Sequence, residues 1–107
     1  MTQFNYTNIT VNHLRYFVSV YDLGGISQAA KSHGVTQSAI TKSLKSLESQ
    51  LNLTLFYRDT RNFHPTEAAK TLYPKVVDIC TAFSTMSNAV DVIHKGDFGQ
   101  SRIGAVS

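Results

Sequence analysis

The sequence predicts a mostly α-helical fold with one small β-hairpin and a long C-terminal helix. Apolar residues recur at intervals of three and four through most of the 107 residues, which is the spacing of one helix face. Glycines divide the first part of this pattern into short pieces, and a segment near the middle loses the helical interval. The pattern then returns and continues unbroken for about eight turns at 3.6 residues per turn.

Two short helices are predicted first. Thr10 can cap a helix from about Val11 to Leu23, which the pair Gly24-Gly25 ends. Ser27 can cap a second helix, which Gly34 ends after about two turns. Glycine suits both ends because it adopts the left-handed conformation that closes a helix without steric cost.

The third helix is predicted from Gln37 to about Gln50, with Thr36 as its cap. A turn of about three residues separates it from the second helix, and this spacing is typical of a helix-turn-helix. An apolar stripe gives this helix a core-facing side. The stripe consists of Ile40, Leu44, Leu47 and Leu51.

The segment that loses the helical interval predicts a β-wing. Leu53–Tyr57 is typical of a short strand, and Phe63-His64 can form the returning strand. The polar residues of 59–62 would form the turn between them.

A heptad pattern indicates that the last helix, from Thr66 to Lys95, packs against a partner helix. At 1.5 Å per residue it would be about 45 Å long, and a domain this small cannot cover one face over that length. A second copy of the chain is therefore the expected cover. The dimerisation residues would be Leu72, Val76, Ile79, Phe83, Met86, Val90 and Ile93.

The third helix carries the residue types that read DNA. Amide and hydroxyl side chains can bond base edges, while positive charges can reach phosphates. The exposed face of this recognition helix, at about 36–50, would present Gln37, Ser38, Thr41, Lys42 and Lys45. Arg58 and Arg61 flank the wing turn and could reach the adjacent backbone or minor groove.

Taken together, these segments resemble the N-terminal region of LysR-type transcriptional regulators over about Val11 to Lys95. The resemblance lies in motifs that occur in the family's order and spacing. They are Leu14-x-x-Phe17-x-x-Val20, Ile26-Ser27-Gln28-Ala29-Ala30, Val35-Thr36-Gln37-Ser38-Ala39-Ile40-Thr41, Leu47-Glu48-x-x-Leu51, Leu55-Phe56-x-Arg58 and Thr66-Glu67-Ala68. Three departures are His33, where the family has a core leucine, and Asn52 and Ala69, where it has glycines.

The resemblance implies a winged helix-turn-helix, a dimerising linker helix and a C-terminal domain that binds a small-molecule effector. It also implies dyad-symmetric promoter sites and tetramers of the full-length protein, with base-reading positions at Gln37, Ser38, Thr41 and Lys42. The effector domain is expected to be missing here except for a first strand near Arg102–Gly104. The expected organisation is an N-terminal extension at 1–10, the winged domain at 11–65, the linker helix at 66–95, and a hinge with the truncated effector domain at 96–107.

Composition excludes several other classes of protein. One cysteine cannot form an internal disulfide framework and fits a reducing cytoplasm, and no continuous apolar run predicts a membrane partner. The histidines lack metal-ligand spacing, and no nucleophile or phosphate-binding motif occurs, so neither a metal, a cofactor nor an enzyme is expected. The formal charge of +3 suits a polyanionic partner.

Two alternatives remain open from the sequence. The heptad helix could be the functional part of a dimeric module whose winged domain binds protein, in which case duplex DNA would not bind. A regulator of the molybdate-responsive type, whose N-terminal domain resembles this one, would bind DNA but carry a different effector domain.

Overall fold

A computed structural model describes residues 8–58 and 63–96 of the chain. These residues form four α-helices and one two-stranded antiparallel sheet. The predicted mostly α fold, with a helix-turn-helix, a β-wing and a long last helix, is confirmed. The elements are α1 (Val11–Leu23), α2 (Ile26–His33), α3 (Gln37–Leu51), β1 (Phe56–Arg58), β2 (Phe63–Pro65) and α4 (Glu67–His94).

The turn between α2 and α3 is closed by backbone hydrogen bonds. Gly34 has φ 67°, a left-handed conformation in which a Cβ would be strained. The Val35 amide donates to the Ala30 carbonyl at 3.0 Å, as in a Schellman motif. Thr36 then caps α3, since its Oγ1 accepts from the Ala39 amide at 3.1 Å. These bonds fix the direction in which α3 leaves the turn.

The start of α2 differs from the prediction. The expected cap at Ser27 is wrong because α2 already begins at Ile26, after an extended Gly25 that forms no side-chain cap. His33, at the other end of α2, was expected at a core position and is half-buried. Its Nε2 lies 2.7 Å from the Ser19 hydroxyl, and its ring packs edge-on against Tyr16. At position 33, a polar contact between α1 and α2 thus takes the place of the apolar contact that the family's leucine would make.

The core lies where α1, α2 and α3 meet the wing and the start of α4. Small residues on α2 let the helices approach closely, and large side chains from the other elements fill the centre. Phe17 packs against Phe56, with ring centroids 5.6 Å apart, and Phe56 stacks on Phe63. The buried apolar residues are Phe17, Val20, Ala29, Ala30, Ile40, Leu44, Leu47, Leu55, Phe56, Ala69 and Val76.

The first wing strand begins later than predicted. The sequence indicated a strand over Leu53–Tyr57, whereas β1 begins at Phe56. Asn52 ends α3 in a left-handed conformation, and the Leu53 amide still donates to the Glu48 carbonyl. The amide of Leu55 donates to the Glu48 carboxylate. The Leu55 carbonyl accepts from the Thr66 amide at 2.9 Å, so this segment is bonded both to α3 and to the residue that follows β2.

The wing itself is a short antiparallel pair. Phe56 lies opposite Pro65, Tyr57 opposite His64 and Arg58 opposite Phe63, so the predicted return strand is confirmed. The turn at 59–62, which includes Arg61, lies outside the described residues, as does the strand expected near Arg102–Gly104.

The beginning of α4 is anchored to the winged domain. Buried Thr66 caps it, accepting from the Ala69 amide and donating to the Thr54 carbonyl at 2.6 Å. About two turns of α4 after Thr66, the Tyr73 hydroxyl donates to Asp22 at 2.5 Å while its ring stacks on Tyr21. The chain divides into two compact units, residues 1–77 and 78–107, and α4 runs through the boundary.

By length and composition alone, α4 could cross a bilayer, with a mean hydropathy of 1.3 in its most apolar 18-residue window. Most of its large apolar side chains, however, follow the heptad interval, with Val77 and Val92 outside it, while Ser84, Asn88 and Asp91 lie on other faces. A lipid-exposed helix is apolar all round. The one-sided pattern therefore favours a partner helix.

Candidate nucleic-acid interface

The exposed face of α3 brings the predicted base-reading residues together. At about 100° per residue, side chains spaced three and four apart share a face. The first two turns carry small polar groups, and no bulky apolar side chain blocks their approach to a groove. Four of the predicted residues are exposed and Thr41 is half-buried; the set is Gln37, Ser38, Thr41, Lys42 and Lys45.

The charged groups of this face are available for a partner. Within residues 8–58 and 63–96, neither Lys42 nor Lys45 forms an ion pair. The side chains of Gln37 and Ser38 also make no hydrogen bond in that part of the chain. An unpaired ammonium keeps its full charge for a phosphate, and a free amide can meet a base edge without first breaking a protein contact.

The helix N-termini add to the positive potential. The first turns of α1, α2 and α3 contain no acidic residue. The partial positive charge of a helix N-terminus attracts anions, and an acidic side chain there would oppose a phosphate. No acidic side chain in the first turns of these three helices therefore opposes an anion.

Arg58 has a structural role that the sequence did not predict. It was expected to reach DNA, but its Nη2 lies 3.1 Å from the Glu48 carboxylate, and its guanidinium lies over the Phe63 ring at 6.0 Å. Nη1 donates weakly to the Phe56 carbonyl at 3.4 Å. The side chain is 30% exposed, so some of its five N–H donors can still face solvent.

Glu48 is the residue that sequence reasoning missed. It is 12% exposed, and its carboxylate joins α3 to β1 through the Leu55 amide at 2.7 Å, the Phe56 amide at 3.3 Å and Arg58. The only signal in the sequence was its place in the family motif, because an isolated glutamate on a helix is usually solvated. Glu48 thereby fixes the wing relative to the recognition helix.

The predicted dimerisation residues fall into two groups. Ile79, Phe83, Met86, Val90 and Ile93 are each exposed, with Ile93 at 57%. Leu72 is half-buried, whereas Val76 is 2% exposed and belongs to the core of its own domain. A row of large exposed apolar residues on one helix indicates an interaction surface. In the N-terminal part of α4, the row residue Val76 is therefore buried by the winged domain of its own chain and is not available to a partner.

The described residues hold no constellation for metal binding. No three of the His, Cys, Asp and Glu side chains in 8–58 and 63–96 lie close enough to hold an ion. A shallow depression of about 380 Å³ beside α3 is lined by His13, Ala39, Lys42, Ser43 and Ser46. Open depressions of this kind are unlike the concave sites that enclose small ligands.

Comparison with known proteins identifies relatives along most of the chain. The sequence profile of the "bacterial regulatory helix-turn-helix protein, lysR family" matches residues 11–70. The HTH-type transcriptional regulator DgcR of Pseudoalteromonas sp is 34% identical over 89 residues, covering 83% of this chain and 31% of that protein. The nitrogen assimilation regulatory protein nac of Escherichia coli (strain K12) is 34% identical over 91 residues, covering 85% and 30%. The chain thus spans about a third of the length of these relatives.

Solved structures share the fold. The BenM DNA-binding domain in complex with catB site 1 DNA has a TM-score of 0.74 at 23% identity, over 86% of this chain and 99% of that one. Full-length CbnR in complex with its target DNA has a TM-score of 0.72 at 26% identity, over 82% and 31%. The profile covers more than half of the chain. The relatives that the chain resembles are regulators and not enzymes. The chain belongs to the LysR family of bacterial helix-turn-helix regulatory proteins.

Proposed function

We propose that this chain is the DNA-reading part of a transcription regulator that binds a dyad-symmetric promoter site as a dimer. The N-terminal part of α3 enters the major groove, where Gln37, Ser38 and Thr41 meet base edges and Lys42 and Lys45 meet bases or phosphates. The observation that supports this is the unpaired polar and basic face of α3, held in place by the closed turn at Gly34.

The wing supplies a second contact to the DNA backbone or minor groove. Arg61 would make this contact directly, while Arg58 would contribute with the donors that Glu48 does not occupy. The partner in solution is a second copy, joined through the exposed residues of α4. In the full-length protein, a C-terminal domain binds a small-molecule effector and assembles two dimers into a tetramer, and the protein acts in the cytoplasm.

The domain organisation follows the same proposal. Residues 11–65 read DNA, 66–95 join the two copies and 96–107 lead into the effector domain, while 1–10 form an extension. Because α4 is continuous from Glu67 to His94 and anchored by Thr66, the position of the partner determines the distance between the two recognition helices. That distance in turn determines the spacing of the half-sites.

Selection from a random duplex DNA pool tests the proposal. The expected result is enrichment of an inverted repeat, because a two-fold dimer presents the same reading surface twice. No enrichment, together with no duplex binding at low salt, would overturn the proposal and favour the protein-binding module.

Two variants then test the residue roles. Thr41→Ala should flatten the sequence preference, whereas Lys42→Ala should weaken binding to all sequences and lower the salt slope by about one unit. Lys95→Ala is the matched control, since it removes the same charge outside the reading surface and should leave the slope unchanged. Equal behaviour of Lys42→Ala and Lys95→Ala would show that the assignment of Lys42 is wrong.

A further inference from the structure

The open depression beside α3 lies between the beginning of α1 and one side of the recognition helix. It is lined by His13 of α1 and by Ala39, Lys42, Ser43 and Ser46 of α3. The four α3 residues are spaced three and four apart, so they form one stripe along the helix. The lining contains no carboxylate, and the Lys42 ammonium is its permanent charge. The depression is therefore electropositive.

The hydrogen bonds of His13 determine which of its ring nitrogens is a donor. Its Nδ1 accepts from the Thr10 amide at 2.9 Å, while the His13 amide donates to Thr10 Oγ1 at 3.3 Å, and the two residues form a capping box. A neutral imidazole that accepts at Nδ1 carries its proton on Nε2. Within residues 8–58 and 63–96, Nε2 makes no hydrogen bond. The ring therefore offers an N–H donor that the described chain does not use.

The serine hydroxyls of the depression are unused donors as well. Among the described residues, Ser43 Oγ has no hydrogen-bond partner although it is out of contact with solvent. Ser46 Oγ accepts from the Gln50 side chain at 3.1 Å, which leaves its own hydrogen free. A buried hydroxyl without a partner is unfavourable, and a change of χ1 rotamer can turn it toward an acceptor in the depression. With Lys42 and His13, these hydroxyls form a lining suited to an anion.

The position of the depression indicates which anion it receives. At 100° per residue, its stripe is centred about a third of a turn around α3 from the base-reading face, and Lys42 belongs to both. A helix of about 10–12 Å diameter fills a major groove about 12 Å wide, so its flanks face the phosphate backbones at the groove edges. The open shape also suits a polymer that runs across the surface, whereas sites for free small ligands enclose them.

We propose that this depression receives a backbone phosphate of the duplex that α3 reads, with Lys42 as the charged contact and His13 Nε2 as a donor from α1. This inference rests on the proposed function and deepens it, because it adds a contact outside the recognition helix and the wing. Since Nδ1 of the same ring closes the capping box, the imidazole is held in place before DNA arrives. Phosphate contacts fix the orientation of a protein on the duplex, so His13 helps to set the angle at which α3 enters the groove.

Charge reversal at His13 tests the contact while it preserves the cap of α1. Glutamate is a preferred residue at the third helical position, so His13→Glu keeps the capping box and places a carboxylate at the depression. The Kd for duplex DNA should rise about tenfold, because the carboxylate repels the phosphate and competes with it for Lys42. His13→Gln keeps both an acceptor for the Thr10 amide and an N–H donor, so it should bind like the unaltered chain.

Fluorescence anisotropy with a labelled duplex measures these affinities at several salt concentrations. Asn88→Glu is the matched control, since it adds the same charge at an exposed position of α4 that does not line the depression. The loss in His13→Glu should be equal on the selected inverted repeat and on an unrelated duplex of the same length, because a phosphate contact carries no sequence information. A loss confined to the selected sequence would overturn the inference in favour of a base contact.

Thermal unfolding separates a lost DNA contact from a lost fold. His13→Glu should melt no lower than the unaltered chain, because glutamate in the first turn also complements the helix dipole. If it does melt lower, Ser46→Asp carries the test, since it brings a carboxylate to the depression from α3 and leaves the cap of α1 intact.

The remaining outcomes distinguish the inference from the function on which it rests. Equal affinity of His13→Glu and Asn88→Glu would overturn the phosphate contact and leave the reading face of α3 in place. The same result with a melting temperature that rises in inorganic phosphate at constant ionic strength would assign the depression to a free anion, which also overturns the inference. No duplex binding by the unaltered chain would overturn the proposed function itself.

Discussion

Removing the Glu48 carboxylate should weaken the attachment of the wing to the recognition helix. Glu48→Ala deletes three hydrogen bonds, and it leaves the amides of Leu55 and Phe56 without that acceptor. Both residues are at most 1% exposed, so water cannot replace the lost oxygen. An unsatisfied buried donor costs about 1–3 kcal/mol, and the longer bond to Phe56 contributes the smaller part. We expect the free energy of unfolding to fall by about 2–4 kcal/mol.

Two companion variants separate the backbone contacts from the ion pair. Glu48→Gln keeps one oxygen for the amides but presents an amide donor to Arg58, so it should cost about half as much as Glu48→Ala. Arg58→Ala removes a partly exposed pair and should cost about 1 kcal/mol or less. The matched control is Glu67→Ala, which removes a 90% exposed carboxylate and should change stability little.

Urea unfolding at one fixed protein concentration measures all four variants, since the stability of a dimer depends on concentration. The expected order of destabilisation is Glu48→Ala, then Glu48→Gln, then Arg58→Ala, with Glu67→Ala last. If Arg58→Ala destabilised the chain as much as Glu48→Ala, the ion pair and not the backbone amides would hold the wing, and the reasoning would be refuted.

The remaining predictions concern α4. The hydrogen bond to Asp22, with burial and the nearby negative charge, raises the pKa of Tyr73 above 10.0. Its stabilising effect is therefore fully present below pH 10 and is lost as the pH rises through the higher folded pKa. The melting temperature of the unaltered chain should fall more steeply above pH 10 than that of Tyr73→Phe, and parallel curves would contradict this. Met86→Asp should shift the chain toward monomer in sedimentation, because it buries a charge in the dimer row. Asn88→Asp, with the same charge on another face, should remain dimeric, and equal behaviour of the two would show that the row packs elsewhere.

The interval between apolar residues, together with the positions of glycines and cap residues, determined most of the secondary structure. The interval of apolar residues identified four helices, and the glycines and threonine caps placed most of their ends. These features are local, since a helix face and a cap depend on residues within one or two turns of each other. The same locality explains why the polar face of α3 could be predicted, because one helix alone places Gln37 and Thr41 on one side.

The predictions that failed depend on contacts between distant residues. β1 begins only at Phe56 because the amides of Leu53 and Leu55 donate to Glu48 on α3 and not to a paired strand. His33 became half-buried because Ser19 and Tyr16 on α1 offer it a polar and aromatic contact. A local sequence pattern does not predict these contacts, because the residues that form them come together only when the helices pack.

The heptad row of α4 shows the same division within one element. The sequence by itself determined that Ala69, Leu72 and Val76 share a face with the later residues of the row, because the helical repeat places them there. Only the tertiary structure decided that Ala69 and Val76 are covered by the chain's own domain, while Ile79 to Ile93 remain exposed and Leu53 borders an open groove. The physical reason is that a sequence repeat specifies which side of a helix is apolar. Which surface buries that side depends on which other segment of the folded protein packs against it.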